Sequence, residues 1–148
     1  MTCEQPYTAI WELSSEFGQE KRIAADLSSL LSQRGVRQDR LEEVLTAVGE
    51  ACLNALEHGN RLRPDRLVEV RMTLTGGSCT FRIYDEGGGF DEAPLADNQA
   101  AKRRQSGSRG WGLLFISSFA NRISVGFEAG RFYVELLFLL MKPAEGRG

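Results

Sequence analysis

Two runs of alternating apolar and polar residues, joined by a pair of glycines, constrain the fold of this chain more than any other feature. The first run is LVEVRMTLT (67–75), the second is SCTFRIYD (78–85), and Gly76-Gly77 lies between them. Alternation with a period of two is typical of strands that are buried on one face. Two glycines between such runs favour a hairpin turn. The sequence therefore predicts an antiparallel hairpin here.

A second pair of alternating runs lies near the C-terminus. ISVGF (123–127) and FYVELLFLL (132–140) flank Glu128-Ala129-Gly130, which is typical of a turn. Together the two hairpins predict an antiparallel sheet whose apolar face has to be covered by other elements.

The segment before the first hairpin begins with a predicted strand and a helix. YTAIWEL (7–13) alternates loosely, and Ser14 or Ser15 then offers an N-cap for a helix that reaches about Gln33. Apolar residues recur on one side of this helix, and Phe17 is expected to be among them. Gly35 suits the position just after the helix end.

A second amphipathic helix is predicted from about Gln38 to Glu57, where apolar residues recur at helical spacing. A short apolar segment, LLFISSFA (113–120), offers a third helix. Helices covering one face of a mainly antiparallel sheet make a two-layer α/β sandwich of the α+β class. The 148 residues suit a single domain, 1–148.

Composition excludes several classes of protein. The net charge of −2 gives no global electrostatic case for binding nucleic acid or an acidic membrane surface. Three scattered cysteines (Cys3, Cys52, Cys79) do not make a disulfide framework or a zinc knuckle. The start lacks a secretory signal, and LLFLLM (136–141) is far shorter than the roughly 20 residues of a membrane helix. These features predict a soluble, cytoplasmic protein with reduced thiols.

The stretch EACLNALEHG, Glu50 to Gly59, is the first candidate for a functional site. Read as a helix, it places Glu50 and Asn54 one turn apart, on the side opposite the apolar stripe. Taken alone, this polar side is most simply the solvated face of an amphipathic helix. Cys52 belongs to the apolar stripe and is expected in the core.

Two glycine-rich segments are the other candidates. DEGGGFD, Asp85 to Asp91, is either a flexible turn or a place where a ligand approaches the backbone. Because Asp85 ends a half-buried strand, its carboxylate is expected to be partly buried and to need hydrogen-bond donors. GSRGWGLLFISSF (107–119) opens an apolar helix whose free N–H groups would suit an anion. The basic cluster 102–104 precedes it, and together these segments suggest a nucleotide under a lid.

The order of these segments resembles the GHKL ATPase superfamily, which includes DNA gyrase B, MutL, histidine kinases and the anti-sigma factor serine kinases. The motifs are E-x-x-x-N-A-x-x-H-G on a helix, D-x-G-x-G-F after a strand, and R-G-x-G-L opening a helix. No P-loop is present. The resemblance covers roughly Asp39 to Met141. The short lid and RGWGLLFISSFANRISV are most similar to the anti-sigma factor kinases of the sporulation and general-stress type.

The resemblance implies a role for each matching residue. Glu50 would be the general base, Asn54 would coordinate Mg²⁺, and Asp85 would accept a hydrogen bond from the adenine amino group. Gly87 and Gly89 would let the backbone pass close to the base, and the third motif would contact the phosphates. The residues predicted to bind ATP are Asn54, His58, Asp85, Gly87, Gly89, Phe90, Arg109, Gly110, Trp111, Gly112 and Leu113. His58 fits packing near the helix end better than a phosphoacceptor role, and Trp111 suits either a ligand contact or packing.

The leading hypothesis is a serine/threonine protein kinase that phosphorylates an anti-anti-sigma (STAS-domain) protein and sequesters a sigma factor, as a homodimer. One alternative is a non-enzymatic module that binds ATP and partners, although a pure binder needs no base at Glu50. A hydrolysing ATPase subunit of the MutL type and a detached histidine-kinase catalytic domain are two others. Neither direct nucleic-acid binding nor membrane association is expected.

Overall fold

A computed structural model describes residues 5–87, 116 and 118–140 of the chain. These residues form five strands and two α-helices. In chain order they are β1 (Tyr7–Ser14), α1 (Glu20–Gln33), α2 (Gln38–Leu53), β2 (Leu67–Leu74), β3 (Ser78–Asp85), β4 (Arg122–Glu128) and β5 (Arg131–Leu139). Helix α2 continues directly into a π-helical segment, Asn54–Gly59.

The strands form one antiparallel sheet in the order β1-β2-β3-β5-β4. Both predicted hairpins are confirmed. The second one turns at Ala129 and Gly130, whose φ angles of 55° and 81° are left-handed, as the twist of a tight hairpin requires. The end of β3 lies in the middle of the sheet, with a strand on either side. Asp85 pairs with Phe132 of β5, and Tyr84 pairs with Glu69 of β2.

One face of the sheet carries the core. The inward rows of β2, β3 and β5 are the apolar residues of the alternating pattern, and they pack against α1 and α2. Each fully buried large apolar side chain stabilises the fold by about 1.5–3 kcal/mol. The predicted two-layer α+β sandwich is confirmed. Large apolar side chains that are fully buried in the core include Phe81, Phe132, Phe138, Leu13, Ile23, Leu27, Leu31, Leu41, Leu56, Met72 and Leu74.

The other face of the sheet carries charged and aromatic side chains that bind one another. The guanidinium groups of Arg71 and Arg131 lie 4.8 and 4.4 Å from the centre of the Tyr84 ring. The hydroxyl of Tyr84 donates to Glu128 over 2.7 Å. Glu69 accepts hydrogen bonds from both arginines. As a result Tyr84 is buried although it points away from the core.

Helix α1 begins at Glu20, so the predicted start at Ser14 or Ser15 is wrong. Ser14 still pairs with β2, and the hydroxyl of Ser15 donates to the carbonyl of Arg66 over 2.6 Å instead of capping a helix. Phe17 therefore lies in the connection, 61% exposed, and not on the buried side of the helix. The end of α1 is as predicted, with Gly35 left-handed at φ 80°.

Helix α2 begins at Gln38 as predicted, but its last part departs from α geometry. From Asn54 onward the hydrogen bonds span five residues, and the N–H of Asn60 donates to the carbonyl of Ala55 over 2.8 Å. Of the predicted third helix, the described residues contain only Ile116, which is buried, and 118–120. Within the part of the chain that is described, no helix is long and apolar enough to cross a membrane.

Candidate functional site

Glu50 and Asn54 lie one turn apart where α2 passes into the π-helical segment. The backbone N–H of Asn54 donates to the carbonyl oxygen of Glu50, so the predicted spacing is confirmed. Glu50 is half-buried, and Asn54 is only 8% exposed. The polar side of this helix is therefore not simply a solvated face, because water reaches little of the Asn54 amide.

The π-helical segment explains why simple helical geometry fails here. A bond spanning five residues adds about one residue to a turn, so positions after Leu53 no longer advance by the α-helical angle. Asn54 itself still makes the α-helical bond to Glu50, and Asn54, Ala55 and Leu56 are buried in succession. Such segments occur frequently at functional sites.

Asp85 is the last residue of β3, and alternation places it in the same row as the core residues Phe81 and Ile83. It therefore lies on the face of the sheet that the helices cover. Its side chain is 1% exposed, and its Oδ1 accepts the backbone N–H of Gly87 over 2.9 Å. The predicted burial of this carboxylate and its need for a donor are both confirmed.

Gly87 lies directly against the end of the π-helical segment. A β-carbon built at this position would lie 1.6 Å from the carbonyl oxygen of Gly59 and 2.4 Å from its carbonyl carbon. Only glycine permits this approach of two backbones. The contact joins the turn after Asp85 to the helix that carries Glu50 and Asn54, so two of the three predicted motifs meet in space.

Asn60 fixes the same junction, although it lies outside the three predicted motifs. It is completely buried. Its Oδ1 accepts the N–H of Glu86 over 2.7 Å, and its Nδ2 donates to the hydroxyl of Ser15 over 3.0 Å. The one available signal was its position directly after the H-G of the helix motif. Its partners, however, lie far away in the sequence.

Cys52 lies in the core as predicted, whereas the ATP contact and the packing role predicted for His58 stay predictions. The His58 side chain is 31% exposed, and its Nε2 lies 3.7 Å from a carboxylate oxygen of Glu57. Cys52 is fully buried in the core. Burial, with a smaller contribution from Glu20, raises the pKa of the Cys52 thiol to about 12, so this thiol is not a nucleophile near neutral pH.

The remaining predicted site residues lie outside the described part of the chain. They are Gly89, Phe90, Arg109, Gly110, Trp111, Gly112 and Leu113. The basic cluster 102–104 also lies there. Their predicted contacts with the base and the phosphates stay predictions.

The described residues fit a bound adenine nucleotide with Mg²⁺. A carboxylate has room for several donors, so Asp85 can accept an adenine amino group in addition to the N–H of Gly87. An amide oxygen such as that of Asn54 suits Mg²⁺, which usually takes one or two protein oxygens and completes its shell with phosphates and water. Among residues 5–87, 116 and 118–140, no group of three His, Cys, Asp or Glu side chains is placed to hold a metal ion by itself.

The site has two ends along the helix axis. Gly59 touches the turn after Asp85, whereas Asn54 and Glu50 lie five and nine residues back along the helix. A nucleotide whose base lies at Asp85 would therefore extend its phosphates toward Asn54 and Glu50. The predicted roles of the three residues stay predictions.

Comparison with protein families matches residues 13–134 to the histidine kinase-like ATPase domain. That range includes every predicted site residue and most of the sheet. The resemblance inferred from the three motifs is therefore confirmed.

Curated proteins with similar sequences are anti-sigma factors and a protein kinase. The anti-sigma F factor of Clostridium beijerinckii is 28% identical over 120 residues, which are 80% of this chain and 84% of that protein. The anti-sigma F factor of Priestia megaterium is 31% identical over 101 residues, 67% of this chain and 69% of that protein. The serine-protein kinase RsbW of Bacillus licheniformis is 25% identical over 115 residues, which are 73% of this chain and 71% of that protein.

Among solved structures, the RsbU and RsbW domains of a Mycobacterium tuberculosis protein share the fold. The TM-score is 0.65 at 18% identity, over 90% of this chain. The chain corresponds to 32% of that longer polypeptide. At this identity the likeness supports the fold, and it agrees with the α+β sandwich described above.

Proposed function

Because the chain belongs to the histidine kinase-like ATPase family, we propose that it is an ATP-dependent serine/threonine protein kinase that acts as an anti-sigma factor. It would phosphorylate an anti-anti-sigma protein of the STAS type in the cytoplasm and sequester a sigma factor while that protein is phosphorylated. The names of its relatives, anti-sigma F factor and serine-protein kinase RsbW, support both halves of this proposal. We also propose that it works as a homodimer.

The contact between Gly87 and Gly59 is the single observation that carries the proposal. It brings the buried carboxylate of Asp85 to the same junction as the helix with Asn54 and Glu50. Neither motif is specific alone, since a glycine turn and a polar helix side both have ordinary structural explanations. Together, on the face of the sheet that the helices cover, they provide a hydrogen-bond acceptor for the adenine base, an amide oxygen for a metal ion and a carboxylate for the nucleophile.

The chemistry assigned to each residue follows from its side chain. Phosphoryl transfer requires positioning, charge neutralisation and one carboxylate to orient the nucleophile. Glu50 would accept the proton of the serine or threonine hydroxyl, and Asp85 would select adenine because guanine carries a carbonyl where adenine carries its amino group. Mg²⁺, when held by the Asn54 amide oxygen, would neutralise phosphate charge.

The kinase is tested with labelled ATP, Mg²⁺ and the purified STAS-type protein encoded beside its gene. We expect label on a serine or threonine of that protein. Glu50→Gln should lower the transfer rate about 10²–10⁴-fold, the usual contribution of a general base, while ATP affinity changes little. Glu42→Gln is the matched control, because Glu42 lies on the same helix, is exposed and accepts a hydrogen bond from Gln38 over 3.1 Å.

The outcomes separate the kinase from the alternative functions. Tight ATP binding without transfer to the STAS protein, in wild type and Glu50→Gln alike, would favour the non-enzymatic binding module. Release of inorganic phosphate without protein labelling would favour a hydrolysing ATPase. Failure to bind ATP at all would overturn the proposal.

The anti-sigma half needs its own measurement. The purified protein with ATP should retain one of the alternative sigma factors of the same genome on an affinity column. The unphosphorylated STAS protein should release that sigma factor, and the phosphorylated form should not. If no sigma factor is retained while the STAS protein is phosphorylated, the protein is a kinase without this sequestering role.

A further inference from the structure

Asn60 uses both ends of its amide to join three separate segments of the chain. Its oxygen accepts the N–H of Glu86, the residue after Asp85, over 2.7 Å. Its nitrogen donates to the hydroxyl of Ser15 over 3.0 Å, and that hydroxyl donates in turn to the carbonyl of Arg66. The backbone N–H of Asn60 completes the last π-helical bond, to Ala55. The helix end, the connection after β1 and the end of β3 are thus fixed to one side chain.

The described residues of the turn after β3 make other contacts as well. Asp85 accepts the N–H of Gly87, and a carboxylate oxygen of Glu86 accepts the N–H of Leu67 over 3.0 Å. Glu86 is otherwise exposed, and the bond from its N–H to Asn60 ties the turn to the buried helix end, next to the backbone contact of Gly87 with Gly59. Loss of this bond would let the turn shift relative to Asn54 without removing much of the core.

We propose that Asn60 is a positioning residue: by holding the N–H of Glu86 it sets the place of the Asp85 carboxylate relative to the helix that carries Asn54. The adenine selectivity of the site would then depend on a side chain that does not touch the nucleotide. This inference rests on the proposed function, in which Asp85 receives the adenine amino group. It adds a residue that no motif of the sequence analysis included.

The amide of asparagine suits this position better than other side chains of similar size. It supplies one acceptor and two donors, so it can accept from Glu86 and donate to Ser15 at the same time. An aspartate would direct a second acceptor at the Ser15 hydroxyl and place a charge in the interior, and a leucine would leave both partners unpaired.

Ser15 offers a matched control within the same buried network. Ser15→Ala removes the acceptor of the Asn60 nitrogen and the donor to Arg66 but leaves the bond between Asn60 and Glu86 in place. Both Asn60→Ala and Ser15→Ala leave buried polar groups without partners, so each should lower the melting temperature. Only Asn60→Ala should release the turn that follows Asp85.

The experiment measures the Kd values of ATP and GTP for wild type and both variants, with Mg²⁺, well below the lowest melting temperature. We expect Asn60→Ala to lower the ATP/GTP selectivity about tenfold, mainly through weaker ATP binding. Ser15→Ala should leave the selectivity within twofold of wild type. Amide hydrogen exchange should show that Glu86 and Gly87 lose protection in Asn60→Ala and keep it in Ser15→Ala.

Three results would overturn the inference. One is an unchanged selectivity in Asn60→Ala despite a lower melting temperature, and another is an equal loss in Ser15→Ala. Either would make Asn60 a purely structural residue while the proposed function stands. The third is a wild-type protein that binds neither nucleotide, which overturns the proposed function and this inference together.

If Asn60→Ala does not fold, Asn60→Ser replaces it in the same experiment. Serine has its only oxygen where asparagine has Cγ, about one bond short of the Glu86 N–H, and it keeps a polar group in the network. The tenfold loss of selectivity and the loss of protection at Glu86 are expected here as well. Selectivity within twofold of wild type would overturn the inference.

Discussion

The backbones of Gly87 and Gly59 touch where the strand that ends at Asp85 meets the end of the π-helical segment. A β-carbon at position 87 would lie 1.6 Å from the Gly59 carbonyl oxygen, far inside any real contact. The neighbouring atoms are backbone and cannot rotate away. The glycine of the second motif is therefore required by packing within the protein, whatever it also permits toward a ligand.

Gly87→Ala should destabilise the protein and weaken ATP binding together. The added methyl group must push β3 and the helix end apart, and overpacking of this kind typically costs about 1–3 kcal/mol. Chemical denaturation and the Kd of ATP measure the two effects. A variant as stable as wild type, with unchanged ATP affinity, would contradict the packing described here.

Gly49→Ala is the control, because it is expected to stabilise the protein where Gly87→Ala destabilises it. Gly49 lies in α2, and no atom lies within 4 Å of a β-carbon built there. Alanine in a helix is favoured over glycine by roughly 0.5–1 kcal/mol. The free energy of unfolding should rise by about this amount. Destabilisation at both glycines would mean that the distinction between tight and open positions does not hold.

Arg40 should be among the most costly side chains to remove. Its guanidinium is buried and donates to the carbonyl oxygens of Leu139 and Phe119, to Asn121 Oδ1 and to Glu43. Breaking a buried, hydrogen-bonded charge network typically costs about 3–5 kcal/mol. Arg40→Ala is therefore expected to lower the free energy of unfolding by that order, as measured by urea denaturation.

Arg37→Ala is the surface control for that experiment. The Arg37 side chain is 61% exposed and pairs with an equally exposed Asp39 over 3.0 Å. Exposed pairs of this kind contribute about 0–1 kcal/mol. Equal effects of the two alanine variants would show that the Arg40 network has no special role in holding the segment before β4.

The sequence predicted the sheet well because strand alternation is a local signal. Both hairpins, their turns and the inward rows around Phe81 and Leu136 follow from residues that are neighbours in the chain. The same dependence on local patterns made the predicted start of α1 wrong. Ser15 looks like a helix cap, but its hydroxyl bonds to Arg66, 51 residues away, and no short-range pattern can show that.

The candidate site was predicted only in part for the same reason. Helical spacing placed Glu50 and Asn54 one turn apart, but it does not show which parts of the chain pack over that side of the helix, and so it missed the burial of Asn54. Asn60 bonds to partners 45 and 26 residues away. Its role depends on the tertiary arrangement of the strand and helix ends, which the alternation and spacing patterns do not contain.

Glu69 should contribute stability that is lost in acid. Burial opposes its ionisation, but hydrogen bonds from Arg71 and Arg131 outweigh burial and hold the pKa of Glu69 below its ordinary value of 4.5. A lowered pKa in the folded state means that the stabilisation is present above about pH 4.5 and disappears as pH falls through the folded value. Glu69→Gln should therefore cost about 1 kcal/mol at pH 7 and much less at pH 3.

The comparison is made by urea denaturation of both proteins across that pH range. Glu42→Gln, at an exposed position, should differ from wild type by no more than about 0.5 kcal/mol at every pH. A cost for Glu69→Gln that stays constant down to pH 3 would show that the arginine pairs do not lower the pKa of Glu69.

Cys52 and Cys79 should report global unfolding through their reactivity. Burial raises the pKa of both thiols to about 12, so the thiolate fraction at pH 8 is on the order of 10⁻⁴, and the thiolate is the reactive form. In a Cys3→Ser background, a disulfide reagent should label neither cysteine in the native protein and both in urea. Fast native labelling of Cys79 alone would instead reveal local opening of β3, which would contradict a central strand fixed by pairing on both sides.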